Sequence, residues 1–372
     1  MRAVVWHGVG DVRVDDVPEP RLQAPTDAIV RLTGSAICGT DLHFVRGSMS
    51  GMKEGTILGH EGVGVVEQLG EDVRDLDVGD RVVIASTIAC GSCVYCRAGY
   101  FAQCLRANPN GPEAGTAFFG GPESTGAFDG LQAEKARIPY AHVGLVKLPD
   151  EVADDDALLI SDIFPTAWFA AKLAEITTGD TVAVFGCGPV GLLTVVSARL
   201  QGAGRVFAVD QVPDRLAQAR RLGAEVVDFS HEEPVETLRR LTDGIGPDRV
   251  VDAVGVDAEA PGAAERAPTQ ALGWAVEAVA KAGTVSIVGV YPPDVDRFPI
   301  GAAFNKNLTV QMGNCNHRRY MPELVELVRS GVVRPSALLT QADDMRDAVS
   351  AYEAFDRHAE GWHKVALDPA SV

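Results

Sequence analysis

Positive charge is scarce in this chain. Its 372 residues hold 33 lysines and arginines against 51 aspartates and glutamates, a formal net charge of −18. Phosphate backbones are gripped by clustered Lys and Arg, so nucleic acid is excluded as a partner. Long apolar runs are missing too: no stretch approaches the roughly 20 residues that span a bilayer. The opening segment "MRAVVWHGVGDVRVDDVPEP" has one short apolar run followed by acids, unlike a secretory signal. The expected location is the cytoplasm. No internal repeat or low-complexity tract stands out. Cysteine is sparse, seven residues in all, yet four of them crowd into one short loop. In a reducing compartment such clustering favours a metal over disulfides.

The length exceeds what one small core needs and points to two domains. A hydrophobic content of 46% with 39 glycines suits a globular α/β protein rich in turns. Up to about residue 160, short β-type runs are cut by Gly and Pro: "AVVWHG", "DAIVRLTG", "GVGVVEQLG", "GDRVVIA" and "GLVKLP". This predicts a mostly β domain with long loops. From "DIFPTAWFAAKLAEI" onward, strands alternate with helices: "DTVAVFG", "PVGLLTVVSARLQG", "RVFAVD", "VPDRLAQARRLG" and so on to "TVSIVGVY" and "NLTVQMG". Such alternation predicts a parallel sheet covered by helices. The helical segments "MPELVELVRSG" and "DDMRDAVSAYEAFDRH", then "KVALDP", are expected to return to the first domain. The expected division is 1–163, 164–312 and the return segment 313–372. The Pro/Ala-rich stretch from Val256 to Gln270 is read as a loop without an assigned role.

"VFGCGPVG" places Gly186, Gly188 and Gly191 in G-x-G-x-x-G spacing, with Pro189 and Val190 between the last two. It follows a predicted strand and opens a predicted helix. Glycines there permit a tight turn and close approach to a pyrophosphate, and the helix N-terminus favours the anion. The acid that ends the next strand, Asp210 in "VFAVD", sits where a carboxylate meets the ribose hydroxyls of NAD and repels the 2′-phosphate of NADP. Arg215 is the nearby cation able to accommodate such a phosphate, and it ranks second to Asp210. The competing reading is a plain turn with Asp210 capping the next helix.

"CGSCVYCRAGYFAQC" carries Cys90, Cys93, Cys96 and Cys104 in C-x2-C-x2-C-x7-C spacing. Four thiolates suit a closed tetrahedral zinc site with no position open for substrate. Such a zinc is structural and fixes a loop with little core of its own. An iron–sulfur cluster is the rival.

Cys38 in "AICGTDLH" and His60 in "GHEGVG" supply two of the three protein ligands that a catalytic zinc requires. Asp162, a carboxylate among apolar neighbours in "LLISDIFPTAW", is the expected third, and a second anion helps to balance a dication. The same residue also reads as a helix start, with Pro165 in the first turn.

Taken together, "CGTDLH", "GHEGVGVVEQLGEDV", "GDRVV", the four-cysteine loop and "GCGPVG" resemble the zinc-dependent medium-chain dehydrogenase/reductase (alcohol dehydrogenase) superfamily over essentially the whole chain. The Asp162 segment "SDIFPTAW" is similar to that of the glutathione-independent formaldehyde dehydrogenase subgroup. The resemblance implies a GroES-like β-rich catalytic domain, a doubly wound Rossmann domain, zinc and NAD as cofactors, and a homo-oligomer, with a tetramer favoured. It implies hydride transfer from an alcohol, or from an aldehyde hydrate, to NAD, with zinc as the Lewis acid. Thr40 and His43 would form a proton relay by way of the cofactor ribose. Asp41 would orient His60, and Glu61 would lie behind the metal. Thr166 would pack near the nicotinamide, and Lys364 in "GWHKVALDP" would reach the pyrophosphate. Other zinc dehydrogenases of this fold, acting on polyols, sugars or hydroxy amino acids, remain rivals, as does a non-catalytic NAD-binding protein. Cys315, His317, Arg318 and Arg319 receive no role, and Cys187 is expected to fill space in the glycine loop.

Overall fold

A long strand, Ala28–Ile37, organises the first part of the computed structural model, which describes residues 1–258, 267–293 and 295–369. It alternates Val, Leu and Ile with smaller or polar residues, and it pairs antiparallel with both Gly62–Leu69 and Lys135–Ile138. Arg81–Ile84 and Leu145–Lys147 extend the sheet on one side, and Val365–Asp368 and Gln341–Asp344 on the other. A separate three-stranded sheet holds Asp11–Asp16, Arg2–Gly8 and Thr56–Ile57. The strand Val365–Asp368 belongs to the C-terminal return: Val365 pairs with Ile37 and Leu367 with Ser35. That register sets Lys364 beside the end of the strand that leads into Cys38.

Contacts divide the chain into Met1–Pro165 with Cys315–Val372, and Thr166–Asn314. The boundaries lie two residues from those expected, and the first falls inside the helix Ile163–Leu173. The second unit is a six-stranded parallel sheet in the order Glu225–Asp228, Arg205–Asp210, Thr181–Phe185, Arg249–Asp252, Thr284–Ile287, Thr309–Met312. In chain order this is 3-2-1-4-5-6, the Rossmann arrangement, whose ligand crevice opens where the strand order reverses. Its four inner strands are short, Val-rich runs that are almost wholly buried, as a parallel sheet under helices requires, while the edge strands Glu225–Asp228 and Thr309–Met312 are largely open.

Four helices within residues 1–160 were not expected from the β-type reading, two of them, Val94–Arg97 and Ala141–Gly144, only a single turn long, and the other two bear on the site. Gly39–Val45 follows directly on Cys38, and Asp154–Ile160 opens with three acids in its first turn, where they favour the helix dipole. Both are seven residues long, too short for a clear apolar period. No helix among the described residues is long and apolar enough to cross a membrane. Most of the Pro/Ala-rich loop, residues 259–266, lies outside the described residues.

Candidate active site

Cys38 is the N-cap of the helix Gly39–Val45, and Asp41, three residues on, reaches back to it. The Asp41 Oδ2 accepts the Cys38 backbone N–H at 2.9 Å and the Gln132 amide at 3.3 Å. The other oxygen, Oδ1, lies 3.2 Å from His60 Nδ1, close enough to pair though outside hydrogen-bond geometry. One carboxylate with no exposed surface thus fixes the backbone of one expected ligand and faces the ring of another.

Asp162 occupies the two-residue break between helices Asp154–Ile160 and Ile163–Leu173. Its neighbour Ser161 pins the break in place: the hydroxyl donates to the Ile84 carbonyl at 2.5 Å and accepts the Gly62 N–H at 2.9 Å. Gly62 is two residues from His60, so the carboxylate is delivered beside the histidine. The Asp162 Oδ2 lies 3.6 Å from Cys38 Sγ and 3.5 Å from His60 Nε2. Ligand atoms of Cys38, His60, Glu61 and Asp162 all fall within 4.8 Å of one another, and all four residues are buried. Thiolate, imidazole and carboxylate converging in a buried space suit zinc. Burial by itself would raise the Asp162 carboxyl. Hydrogen bonds and charge from His317 and His60 outweigh it and hold the group well below the usual carboxylate range.

Glu61 is fully buried. Its Oε1 takes the Lys364 ammonium at 2.6 Å, and its Oε2 has no hydrogen-bond partner. This corrects the expectation for Lys364. The lysine is fully buried and also donates to the Ile37 carbonyl at 2.9 Å, so its ammonium is spent inside the first unit and not on a pyrophosphate. Burial disfavours the ammonium, but Glu61 and Cys38 outweigh it and raise the lysine above its ordinary value.

Thr40 is half-buried on the helix Gly39–Val45. His43, one turn further, is buried with Nδ1 at 3.4 Å from Ser48 Oγ. Reading of the sequence missed His317, which opens the helix His317–Arg329. Its Nε2 lies 2.7 Å from Asp162 Oδ1 and its Nδ1 3.2 Å from Thr87 Oγ1. A histidine placed against the positive end of a helix dipole is the one sign that something else holds it there.

The four cysteines also converge, with sulfurs inside 4.8 Å of one another and every residue buried. Backbone N–H groups point at the sulfurs: Cys90 onto Cys104 at 3.2 Å, Cys96 onto Cys93 and Arg106 onto Cys104, each at 3.5 Å. Burial opposes ionisation of Cys93, but the N–H groups of Cys96 and Leu105 more than offset it and bring the thiol down to about 6. Burial instead pushes Cys96 and Cys104 up, and four sulfurs converging in this way suit a closed tetrahedral ion, whose charge would hold them as thiolates.

In the second unit, Gly186 ends the strand Thr181–Phe185 with φ +90°. A side chain at Gly191 would meet the Gly186 carbonyl at 1.8 Å, and one at Gly188 would meet nothing, which leaves that spot open for a ligand. Gly188 caps the helix Pro189–Leu200, with Pro189 and Val190 in its first turn. Asp210 closes the next strand and is buried. It accepts N–H groups of Cys187 at 2.7 Å, Gln211 at 2.8 Å and Val212 at 2.9 Å. A carboxylate has about four acceptor sites, so one remains for a ribose hydroxyl where two such bonds were expected. Cys187 is 1% exposed and packs inside, as its assignment to space-filling requires.

Residues 24–150 match the alcohol dehydrogenase GroES-like domain and residues 189–330 the zinc-binding dehydrogenase family. The zinc-type alcohol dehydrogenase-like protein AdhB of Bacillus subtilis is 39% identical over 99% of this chain and 100% of its own length. The chain belongs to the zinc-dependent alcohol dehydrogenases of the medium-chain dehydrogenase/reductase superfamily. A glutathione-independent formaldehyde dehydrogenase of Pseudomonas aeruginosa is 33% identical over 100% of this chain and 98% of its own. Among solved structures, alcohol dehydrogenase TADH from Thermus sp. ATN1 superposes with a TM-score of 0.87 at 37% identity, covering 99% of both chains. This dehydrogenase therefore has zinc and a nicotinamide dinucleotide as its cofactors.

Proposed function

We propose that this dehydrogenase takes hydride from an alcohol or from the hydrate of an aldehyde, formaldehyde included, and passes it to NAD. The observation that carries the reading is the convergence of Asp162 Oδ2 on Cys38 Sγ and His60 Nε2, at 3.6 and 3.5 Å. Those three residues would hold the catalytic zinc, and Cys90, Cys93, Cys96 and Cys104 the structural one. When bound, the catalytic ion supplies a Lewis acid that lowers the pKa of the substrate hydroxyl, and the dinucleotide accepts the hydride.

The chain's own residues do the rest. Asp41 holds Cys38 and faces His60, so the ligands are set before any ion arrives. Thr40 and His43 stand three apart on one helix face. Thr40 receives the substrate proton at its hydroxyl, and His43 carries it on a ring whose ordinary pKa suits exchange with water. Glu61 keeps one oxygen unpaired next to the ligands and is available when substrate and water exchange. Asp210 favours NAD, because its charge repels a 2′-phosphate. Thr166 would pack near the nicotinamide, and Arg215 would lie near the ribose, second to Asp210. Ile300 and Phe304 on the helix Ile300–Asn305 and Met312 on the edge strand Thr309–Met312 are exposed apolar residues, which supports a homo-oligomer.

An aldehyde hydrate is a gem-diol. Loss of hydride and one proton from it yields the carboxylic acid, while NAD becomes NADH. If NADH stays bound, it can reduce a second aldehyde, which is dismutation. Similarity to the formaldehyde dehydrogenase of Pseudomonas aeruginosa supports this branch. The test is the initial rate of NADH formation by zinc-loaded enzyme with formaldehyde, without glutathione, beside primary, secondary and aromatic alcohols. Formaldehyde turnover is expected. Turnover confined to alcohols removes the aldehyde branch, and no turnover on any of them removes the reading as a whole.

A further inference from the structure

The two oxygens of Asp162 have different work. Oδ2 faces Cys38 and His60, while Oδ1 receives the His317 ring at 2.7 Å. A carboxylate only accepts, so His317 Nε2 must carry the proton of that bond. The other ring nitrogen is 3.2 Å from the Thr87 hydroxyl, so both edges of the imidazole are held. Thr87, Asp162 and His317 are all buried, at 7%, 8% and 3% exposure. The residue before His317 is anchored too: Asn316 Oδ1 accepts the Ala102 N–H at 2.9 Å, inside the four-cysteine loop. Arg319 packs against Gly99 of the same loop. His317 is therefore a seated donor and not a passing contact.

An unrestrained carboxylate can turn both oxygens, or neither, toward an ion. Committing Oδ1 to an N–H donor fixes the plane of the group and leaves Oδ2 as the one oxygen for the metal. It also draws electron density from the ligand, which keeps the ion a stronger Lewis acid. Metal-bound histidines are commonly oriented by an outer carboxylate, and here the order is inverted.

We propose that His317 is a positioning residue for the catalytic metal, its Nε2–H holding Asp162 Oδ1 so that Oδ2 alone is presented beside Cys38 and His60. The proposal rests on Asp162 being a metal ligand. The probe is cobalt(II) in place of zinc, followed by its visible spectrum and by competition with a chelator. The cobalt in the four-cysteine loop serves as an internal reference. In His317→Ala, the catalytic-site bands are expected to shift and affinity there to fall by about 10–100-fold, with the four-thiolate bands unchanged. His317→Gln, which can still offer an N–H, is expected to recover much of the affinity. Thr87→Val, isosteric and without the hydroxyl, gives a smaller shift in the same direction, and it decides the matter if His317→Ala fails to fold. Wild-type spectra and affinity in His317→Ala, or in Thr87→Val where the alanine variant does not fold, overturn the proposal. Asp162→Ala separates the two ideas. If it keeps the catalytic-site bands, the ligand assignment itself has failed; if it loses them while the His317 and Thr87 variants match wild type, only the positioning role has.

Discussion

The Lys364 ammonium lies 2.6 Å from Glu61 Oε1 in a place where neither side chain has any exposed surface. The pair joins the C-terminal return to the residue after His60, 303 positions earlier in the chain. It also supplies a positive charge beside the anions Cys38, Asp162 and Glu61, which a lone dication would leave unbalanced by one unit.

Removing one partner strands the other. Lys364→Met is expected to destabilise the protein by about 3–5 kcal/mol, because a buried carboxylate loses its counter-charge. The double variant Lys364→Met with Glu61→Gln recovers most of that loss. Urea unfolding of the two variants checks this, and equal stability of single variant and wild type would show that the pair contributes nothing.

Cys93→Ser acts on the four-cysteine loop and not on the chemistry. Cys93 accepts the Cys96 N–H at the N-cap of the short helix Val94–Arg97, a bond that a serine hydroxyl can still accept, so the variant keeps the cap and loses the thiolate ligand. The variant is expected to release one zinc, to be nicked by protease between residues 90 and 104, and to melt earlier, with the turnover of intact molecules little changed. Metal content, limited proteolysis and thermal unfolding measure these separately. A stable variant with full zinc would sink the structural role.

Asp210→Ala has two consequences. It removes an acceptor for ribose, worth about 1.5–3 kcal/mol for a charged hydrogen bond, or roughly tenfold or more in KM for NAD. It also frees the N–H groups of Cys187, Gln211 and Val212. NAD binding weakens and discrimination against NADP narrows. Steady-state kinetics with both cofactors is the check, and an unchanged ratio would remove Asp210 from the ribose site.

Gly191→Ala leaves the zinc sites untouched and blocks the turn. The new methyl would sit 1.8 Å from the Gly186 carbonyl, backbone that has nowhere to go. Loss of NADH binding, read by fluorescence titration, is expected with both metals retained. Normal binding would mean that the loop rearranges freely.

Short-range patterns determined much of this protein before any fold was known. Four cysteines within one loop, three glycines between a strand and a helix, and an acid at the next strand end are all local, and their chemistry needs neighbours that the chain supplies nearby. The alternating second half and its return segment were legible for the same reason: helix and strand periods are local signals. What lies far apart was settled only by tertiary structure. Asp162 and His317 are 155 residues apart and meet because one fills a break between helices and the other starts a helix. Lys364 was expected at the pyrophosphate, yet the pairing of Val365 with Ile37 turned it inward to Glu61. A strand's register is chosen by the partner it meets and by the face it must bury, and a one-residue shift would have sent that ammonium to the opposite face of the sheet.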